Sequence, residues 1–423
     1  MAISITPLSG GNTPADGSDP RTFPAIWNAT ATQLEGVADD LDTLEATTLT
    51  GVNVASPVEG DSLVYDGTDW VNSSNVVSGR NLLYNGAMQV SQRANSATGI
   101  TTFGYYTADR WNVSMSSAGT WTQSLEDDGP TGSGFGRSLK MECTTAKASL
   151  AAGDYALIRQ KLEGKDVQVI KKGTSSAESL TLQFWVKSNN TGTYAIVLSD
   201  RDNTREIAAT YTIDAAGVWE KKVITFEPDT TGALNNTANE ALYVLWYLAA
   251  GTDYTSGTLQ TAWASTVEAN RAVGQANLAD SVSNYWQMTG VQLETGTTAN
   301  GYEHTTQAEE LAKCQRYYTL IASASQRAVM TGYANTTTSC QGVFNLPVTM
   351  RVPPSVESAS GTNYYRFNST SNSTVDSVSL LGTFNSIQAL GIYADLNTTN
   401  TAGHGGVLRT NLADAYVAAD AEL

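Results

Sequence analysis

Short runs in which apolar and polar residues alternate make up most of the chain between residues 80 and 305. In "LTLQFWV" the side chains of Leu180, Leu182, Phe184 and Val186 share one face, as in a strand with one buried side. Turn-rich segments such as "DDGPTGSGFG" and "DTTGALNNTAN" separate runs of this kind. The pattern predicts a mainly β protein with a two-sheet, jelly-roll sandwich over residues 80–305.

A helical pattern follows the sandwich. Thr306 and Glu309 have the spacing of a capping box, with a hydroxyl at the N-cap and a carboxylate three residues later. Four residues then recur on one helical face: Ala308, Leu311, Cys314 and Tyr318. We predict a connector helix at 306–325 that buries Cys314, and a separate C-terminal β tip domain at 326–423.

The N-terminal segment has a different period. From residue 24 to 50, apolar residues alternate steps of three and four, as at the a and d positions of a heptad. This predicts a short trimeric coiled coil, although an amphipathic helix packed on its own domain fits the same pattern. Residues 1–23 are rich in Gly, Pro, Asp, Ser and Thr, and we expect this arm to order only against another protein. The predicted trimer seam contains Trp27, Leu34, Val37, Leu41 and Leu44.

A small hairpin is predicted within the linker at 51–79. Two β-like runs, Ser62 to Tyr65 and Asp69 to Asn72, flank the turn formed by Asp66 and Gly67. A hairpin of this size is marginal alone, so we expect several copies to pack around a shared axis. The packing residues would be Leu63, Tyr65 and Trp70.

Charge excludes several classes of partner. The chain has 24 Lys and Arg against 41 Asp and Glu, a formal net charge of -17, which disfavours binding to nucleic acid. No segment approaches the roughly 18 apolar residues of a membrane span, and we expect no membrane insertion.

Cys143, Cys314 and Cys340 are predicted to be reduced, buried thiols, because their number and spacing form no disulfide framework.

No catalytic constellation or cofactor site emerges from the sequence. Cys314 and His304 lie too far apart, among carboxylates, to form an activated thiolate. The carboxylates could supply a glycosidase pair, whose separation a sequence does not give. Asp200 and Asp202 resemble the start of a calcium loop but lack its central Gly and closing Glu, so an ordinary turn is favoured and no metal site is predicted. We expect a protein that is not an enzyme.

Aromatic residues supply the candidate contact site. We expect Trp185 and Trp246 to lie in the core, because both are within apolar runs. The segment "NYYRFN" adjoins a Ser/Asn/Thr-rich loop, and neighbouring strand residues face opposite sides, so part of it should be exposed. The predicted receptor-binding residues are Tyr364, Tyr365, Arg366 and Phe367.

Six segments together resemble phage tail-fibre or receptor-binding proteins, especially those of marine and other bacterial podoviruses. In chain order they are "RNLLYNGAMQVSQRA", "YYTADRW", "GVQLETG", "AEELAKCQRYY", "NLPVTMRVPPSV" and the closing "ADAEL". The resemblance implies an elongated homotrimeric fibre on the exterior of the virion tail. Its N-terminal arm would dock on another virion protein, tail or portal-associated, and its middle would be a carbohydrate-binding-like jelly roll.

The function predicted from pattern and resemblance is adsorption through host surface polysaccharide. A head fibre or tail adaptor without host contact is the alternative, and a glycan depolymerase is a weaker one. The segments mark the fold and transfer no binding residues.

Overall fold

The computed structural model of the protein describes residues 52–54, 62–65, 68–73, 81–382 and 385–423. The predicted arm and coiled coil, with all five seam residues, lie outside these ranges and stay predictions. No helix in the described part of the chain is long and apolar enough to cross a membrane.

Contacts divide the chain into two compact units, Met1–Val76 and Val77–Leu423. Within the described residues of the first unit, the strands are β1 (Val52–Asn53), β2 (Ser62–Tyr65) and β3 (Trp70–Ser73). Strand β3 pairs antiparallel with β2 and parallel with β1, so the predicted hairpin is present, with its second strand one residue later than expected. Its Leu63 and Trp70 are 52% and 48% exposed.

The first part of the second unit is a β sandwich. Its helical turns are Gln168–Ile170, Thr252–Thr255, Glu268–Asn270 and Leu278–Asp280. Its strands are β4 (Ser96–Ile100), β5 (Gly104–Tyr105), β6 (Asn112–Ser116), β7 (Thr120–Glu126), β8 (Ser138–Thr145), β9 (Tyr155–Glu163), β10 (Leu180–Ser188), β11 (Gly192–Asp200), β12 (Arg205–Ile213), β13 (Glu220–Phe226), β14 (Glu240–Ala250), β15 (Ala264–Ser265) and β16 (Tyr285–Thr295).

These strands form two sheets that enclose one apolar core. The six-stranded sheet has the order β13-β10-β16-β8-β7-β4, and the seven-stranded sheet has the order β15-β12-β11-β14-β9-β6-β5. The four alternating residues predicted on β10 all point into this core. Phe184 meets Trp246 of the opposite sheet edge to face, with ring centroids 6.0 Å apart. The predicted mainly β sandwich is therefore confirmed.

The connector helix is shorter than predicted. It spans Gln307–Gln315, and its capping box is present, with Thr306 Oγ1 accepting from the Glu309 amide at 3.3 Å. The following segment, "RYYTLIAS", contains several aromatic and β-branched residues, and its part from Tyr318 to Ser323 pairs with a strand about a hundred residues later, which ends the helix. Cys314 is fully buried, as expected.

The remaining residues form a second group of strands. They are β17 (Tyr318–Ser323), β18 (Ala328–Thr336), β19 (Ser339–Asn345), β20 (Ser355–Ser358), β21 (Tyr365–Asn368), β22 (Asn372–Val375), β23 (Ser379–Leu380), β24 (Ala389–Asp395), β25 (Gly405–Thr410) and β26 (Tyr416–Asp420).

This C-terminal group has two layers with a core of its own. The three-stranded sheet β17-β26-β20 packs against the seven-stranded sheet β22-β21-β25-β18-β19-β24-β23. Val417 and Ala419 of the small sheet and Phe367 and Leu408 of the large sheet belong to this core. The alternate residues of the small sheet therefore face outward, toward the sandwich.

The sandwich and the C-terminal layers belong to one compact unit, with polar contacts between them. Arg316 pairs with Glu163 at 2.8 Å, Gln92 Nε2 donates to the Tyr318 carbonyl at 2.6 Å, and Arg351 Nη1 donates to the Ala238 carbonyl at 2.6 Å. The sequence predicted a separate tip domain beginning at residue 326. In the structure β17, which precedes that boundary, is part of the C-terminal layers.

Candidate functional site

A cleft of about 360 Å³ lies between the sandwich and the C-terminal layers. Its floor is the outward face of the small sheet, where Leu320, Ala418 and Glu357 lie opposite one another on adjacent strands. The wall from the sandwich is formed by Arg93, Tyr105 and Tyr106. We call this feature the tyrosine cleft, because four tyrosines line it: Tyr105, Tyr106, Tyr318 and Tyr416.

Arg93 is fixed at the centre of the wall. Its guanidinium lies 3.5 Å from the ring centroid of Tyr318 and 5.3 Å from that of Tyr105. Asp420 and Glu422 pair with it at 3.8 and 3.5 Å. The charge of Arg93 is therefore balanced within the protein, and its contribution to the cleft is mainly shape and rigidity.

Two carboxylates face the remaining space. Glu357 Oε1 accepts a hydrogen bond from Tyr416 Oη at 3.0 Å, and Asp414 at the rim accepts one from Tyr364 Oη at 2.7 Å. Burial, followed by the neighbouring Glu357, raises the pKa of Tyr416 to about 12, so this phenol is neutral at neutral pH. Each carboxylate retains acceptor positions for a ligand hydroxyl.

This combination of groups suits a sugar. The partly exposed rings of Tyr105, Tyr106 and Tyr416 offer flat apolar faces, and fixed carboxylates accept hydrogen bonds from hydroxyl groups. The cleft has the concave shape and mixed lining typical of small-molecule sites. The two charged groups that face the open space of the cleft, Glu357 and Asp414, are both acidic. A neutral sugar therefore fits better than an acidic one.

The structure separates the four receptor-binding residues predicted from "NYYRFN". Tyr365 and Phe367 are fully buried in the C-terminal core, so the prediction is corrected at these two positions. Tyr364 is partly exposed at the rim of the cleft, beside Asp414. Arg366 points outward from the large sheet, on the side away from the cleft.

Other predicted positions have structural roles. Trp246 is in the core as expected, but Trp185 points out of the sandwich and is partly exposed.

Asp200 accepts hydrogen bonds from Lys172 Nζ at 2.5 Å and from the Asn203 amide at 3.0 Å, which is an Asx turn with a buried ion pair. Across the described ranges, no group of three or more His, Cys, Asp or Glu side chains could hold a metal ion.

The Cys314 and His304 side chains lie in different surroundings. Burial raises the pKa of the Cys314 thiol well above its usual range. The His304 ring packs against Phe135 and Tyr302, with centroid distances of 5.2 and 4.8 Å. All three cysteines are free and buried, as predicted.

Sequence reasoning missed the cleft. Its residues come from five stretches between Arg93 and Tyr416, and no local period connects them. One signal was available, since Arg93, Tyr105 and Tyr318 all belong to the quoted resemblance segments. Those segments were interpreted as fold markers alone.

No family model matches the chain, and no curated protein matches it. Several solved structures are similar to about half of this chain. The bacteriophage CBA120 tailspike protein 4 enzymatically active domain is 12% identical over 52% of this chain and 22% of its own length, with a TM-score of 0.28. This chain thus spans about a fifth of that domain.

Two further similar structures cover about half of this chain and nearly all of their own. TmCBM61, solved with beta-1,4-galactotriose, is 11% identical over 51% of this chain and 99% of its own, with a TM-score of 0.26. A putative sugar binding protein from Bacteroides thetaiotaomicron is 13% identical over 51% and 99%, with a TM-score of 0.28.

Proposed function

We propose that this chain is a phage tail-fibre protein that attaches the virion to a host by binding a neutral surface glycan in the tyrosine cleft. The cleft itself carries the proposal, because it combines partly exposed tyrosine rings with Glu357 and Asp414 in a concavity of about 360 Å³. The resemblance of the six sequence segments to tail-fibre proteins supports the virion role.

Binding in the cleft can be tested with neutral oligosaccharides released from the host envelope. We expect Glu357→Gln to weaken binding about tenfold, since a hydrogen bond to a charged acceptor contributes roughly 1.5 kcal/mol or more. Tyr106→Ala should weaken it further by removing a stacking face. Calorimetry on the full chain would measure both effects.

The matched control is Tyr333→Ala. Tyr333 is 43% exposed on the large sheet, outside the cleft, so its removal should leave glycan affinity unchanged. Equal losses in Tyr106→Ala and Tyr333→Ala would contradict a site in the cleft. No binding of any host glycan would favour the head-fibre or tail-adaptor alternative.

The proposal includes binding without turnover. Incubation of the full chain with host glycan should therefore release no new reducing ends. Their appearance, and their loss in Glu357→Gln, would instead assign a depolymerase activity to the cleft.

The proposed fibre is a parallel homotrimer held by the heptad seam. The exposed Leu63 and Trp70 of the small N-terminal sheet supply apolar surface that neighbouring copies would cover. Sedimentation of the full-length chain should give three times the monomer mass, and a monomer would overturn this part of the proposal.

A further inference from the structure

The outward face of the large C-terminal sheet carries two arginines directly opposite each other. Arg366 on β21 pairs in register with Arg409 on β25. Directly opposed residues of an antiparallel pair project from the same face, with Cβ atoms about 5 Å apart. Their neighbours in register, Tyr365 and Thr410, are buried on the other face. Two like charges are thus held close together on one surface.

Within the described residues, no carboxylate forms an ion pair with either arginine. In register with Arg366 on β22 lies Thr374, and in register with Arg409 on β18 lies Ala328. Neither Arg366 nor Arg409 takes part in any ion pair recorded for residues 81–382 and 385–423. Opposed like charges destabilise a sheet, and this chain has 41 acidic residues available to offset them. A carboxylate beside the two arginines would stabilise the fold, and none pairs with them in the described residues.

The donors of the pair are fixed and partly unused. With the Asn368 amide oriented to satisfy both side chains, its oxygen accepts from Nη2 and Nε of Arg409, at 3.1 and 3.3 Å. This contact holds the Arg409 guanidinium while leaving its other N–H groups available. The Nε atom of Arg366 is buried and has no hydrogen-bond partner in the described part of the chain. A buried donor without an acceptor is costly, so the position of Arg366 is not explained by its contacts within the protein.

We propose that Arg366 and Arg409 form a binding site for an oxyanion, a phosphate or carboxylate group carried on a sugar. Paired guanidinium forks bind such groups through parallel charge-assisted hydrogen bonds. Thr374, next to Arg366, can donate its hydroxyl to the same group. The site lies on the side of the C-terminal layers away from the tyrosine cleft and does not depend on glycan binding there.

The test titrates the full-length protein, in low-salt buffer, with glucose 6-phosphate, glucuronate, inorganic phosphate and glucose. Calorimetry should show saturable binding of at least one charged probe, with one site per chain, and none of glucose. Binding of the phosphate probes alone would assign phosphate, and binding of glucuronate alone would assign carboxylate. Absence of saturable binding for all three anions would overturn the proposal.

Variants connect any binding to this pair. Arg366→Gln and Arg409→Gln should each weaken the charged probe at least about tenfold, the loss expected for one charge-assisted hydrogen bond. Arg201→Gln, which removes an exposed arginine from the sandwich, is the matched control and should leave affinity unchanged. The bound probe should also raise the thermal midpoint of the wild-type and Arg201→Gln proteins but not of the two site variants. Equal affinities in all four proteins would show that the anion binds elsewhere and would overturn the site.

Discussion

Arg110 is a fully buried charge at the contact between the sandwich and the C-terminal residues. Its Nη1 pairs with Glu422, its Nη2 donates to the Lys161 carbonyl at 2.6 Å, and its guanidinium lies 3.4 Å from the ring centroid of Tyr317. Removing a guanidinium from water is costly unless a counter-charge and acceptors replace the solvent. Here a single glutamate supplies that counter-charge.

Replacing Glu422 should therefore destabilise the protein strongly. We expect Glu422→Gln to lower the free energy of unfolding by about 3 kcal/mol, because it leaves Arg110 buried and unpaired. Chemical denaturation of the chain would measure the loss. Glu142→Gln, at the more exposed Lys140–Glu142 pair, should cost less than about 1 kcal/mol. Similar losses at the two sites would contradict the importance assigned to burial.

The sequence pattern predicts that successive residues of a strand face opposite sides, but it does not predict which side is buried. The period of two correctly indicated that residues of "NYYRFN" face opposite sides. It could not show which side is the core, because both faces of that strand carry aromatic or long side chains. The tertiary structure decides this, since only the side with Tyr365 and Phe367 meets the small sheet.

At the scale of elements, local signals fixed where the connector helix begins, and long-range pairing fixed where it ends. The Thr306 capping box is entirely local and was predicted from four residues. The end at Gln315 depends on β17 pairing with β26, about a hundred residues later, which no local pattern contains. The start of this helix was therefore predictable and its end was not.

The cap should contribute measurably to the helix. We expect Thr306→Ala to cost about 1 kcal/mol, because it leaves the Glu309 amide without its acceptor. Amide hydrogen exchange over residues 307–315 should accelerate accordingly. Thr306→Ser, which keeps the hydroxyl, and Gln307→Ala, at the exposed first turn, should exchange like the wild type. Unchanged exchange in Thr306→Ala would show that tertiary packing alone holds the helix.

At the scale of the whole unit, the segments that carried the family resemblance meet at one contact. Val291 N, from "GVQLETG", donates to the Gly86 carbonyl at 3.0 Å, and Gln92 Nε2 contacts both Asp109 and the Tyr318 carbonyl. Arg351, from "NLPVTMRVPPSV", holds the carbonyl of Ala421. Segments far apart in sequence thus form the contact between the sandwich and the C-terminal layers, and the tyrosine cleft lies beside this contact. Their proximity is visible only in the folded structure.

The C-terminal layers should not fold when cut at the boundary that the sequence predicted. A fragment of residues 326–423 lacks β17, so β26 loses one of its two partners and the outward face of the small sheet loses the sandwich. We expect this fragment to show a poorly dispersed NMR spectrum. The fragment 77–423 should unfold in a cooperative transition, and a well-dispersed spectrum from 326–423 would contradict this account.

The pairing of Arg110 with Glu422 also constrains the order of events during synthesis. The two residues are 312 positions apart, so a ribosome makes the arginine long before its counter-charge. Until residues 416–422 emerge, the small sheet lacks its middle strand and the cleft has no floor. A chain that stops early would carry a complete sandwich sequence and an unpaired interior cation, and would be open to proteolysis. Only chains that include residues 416–422 can therefore complete the cleft.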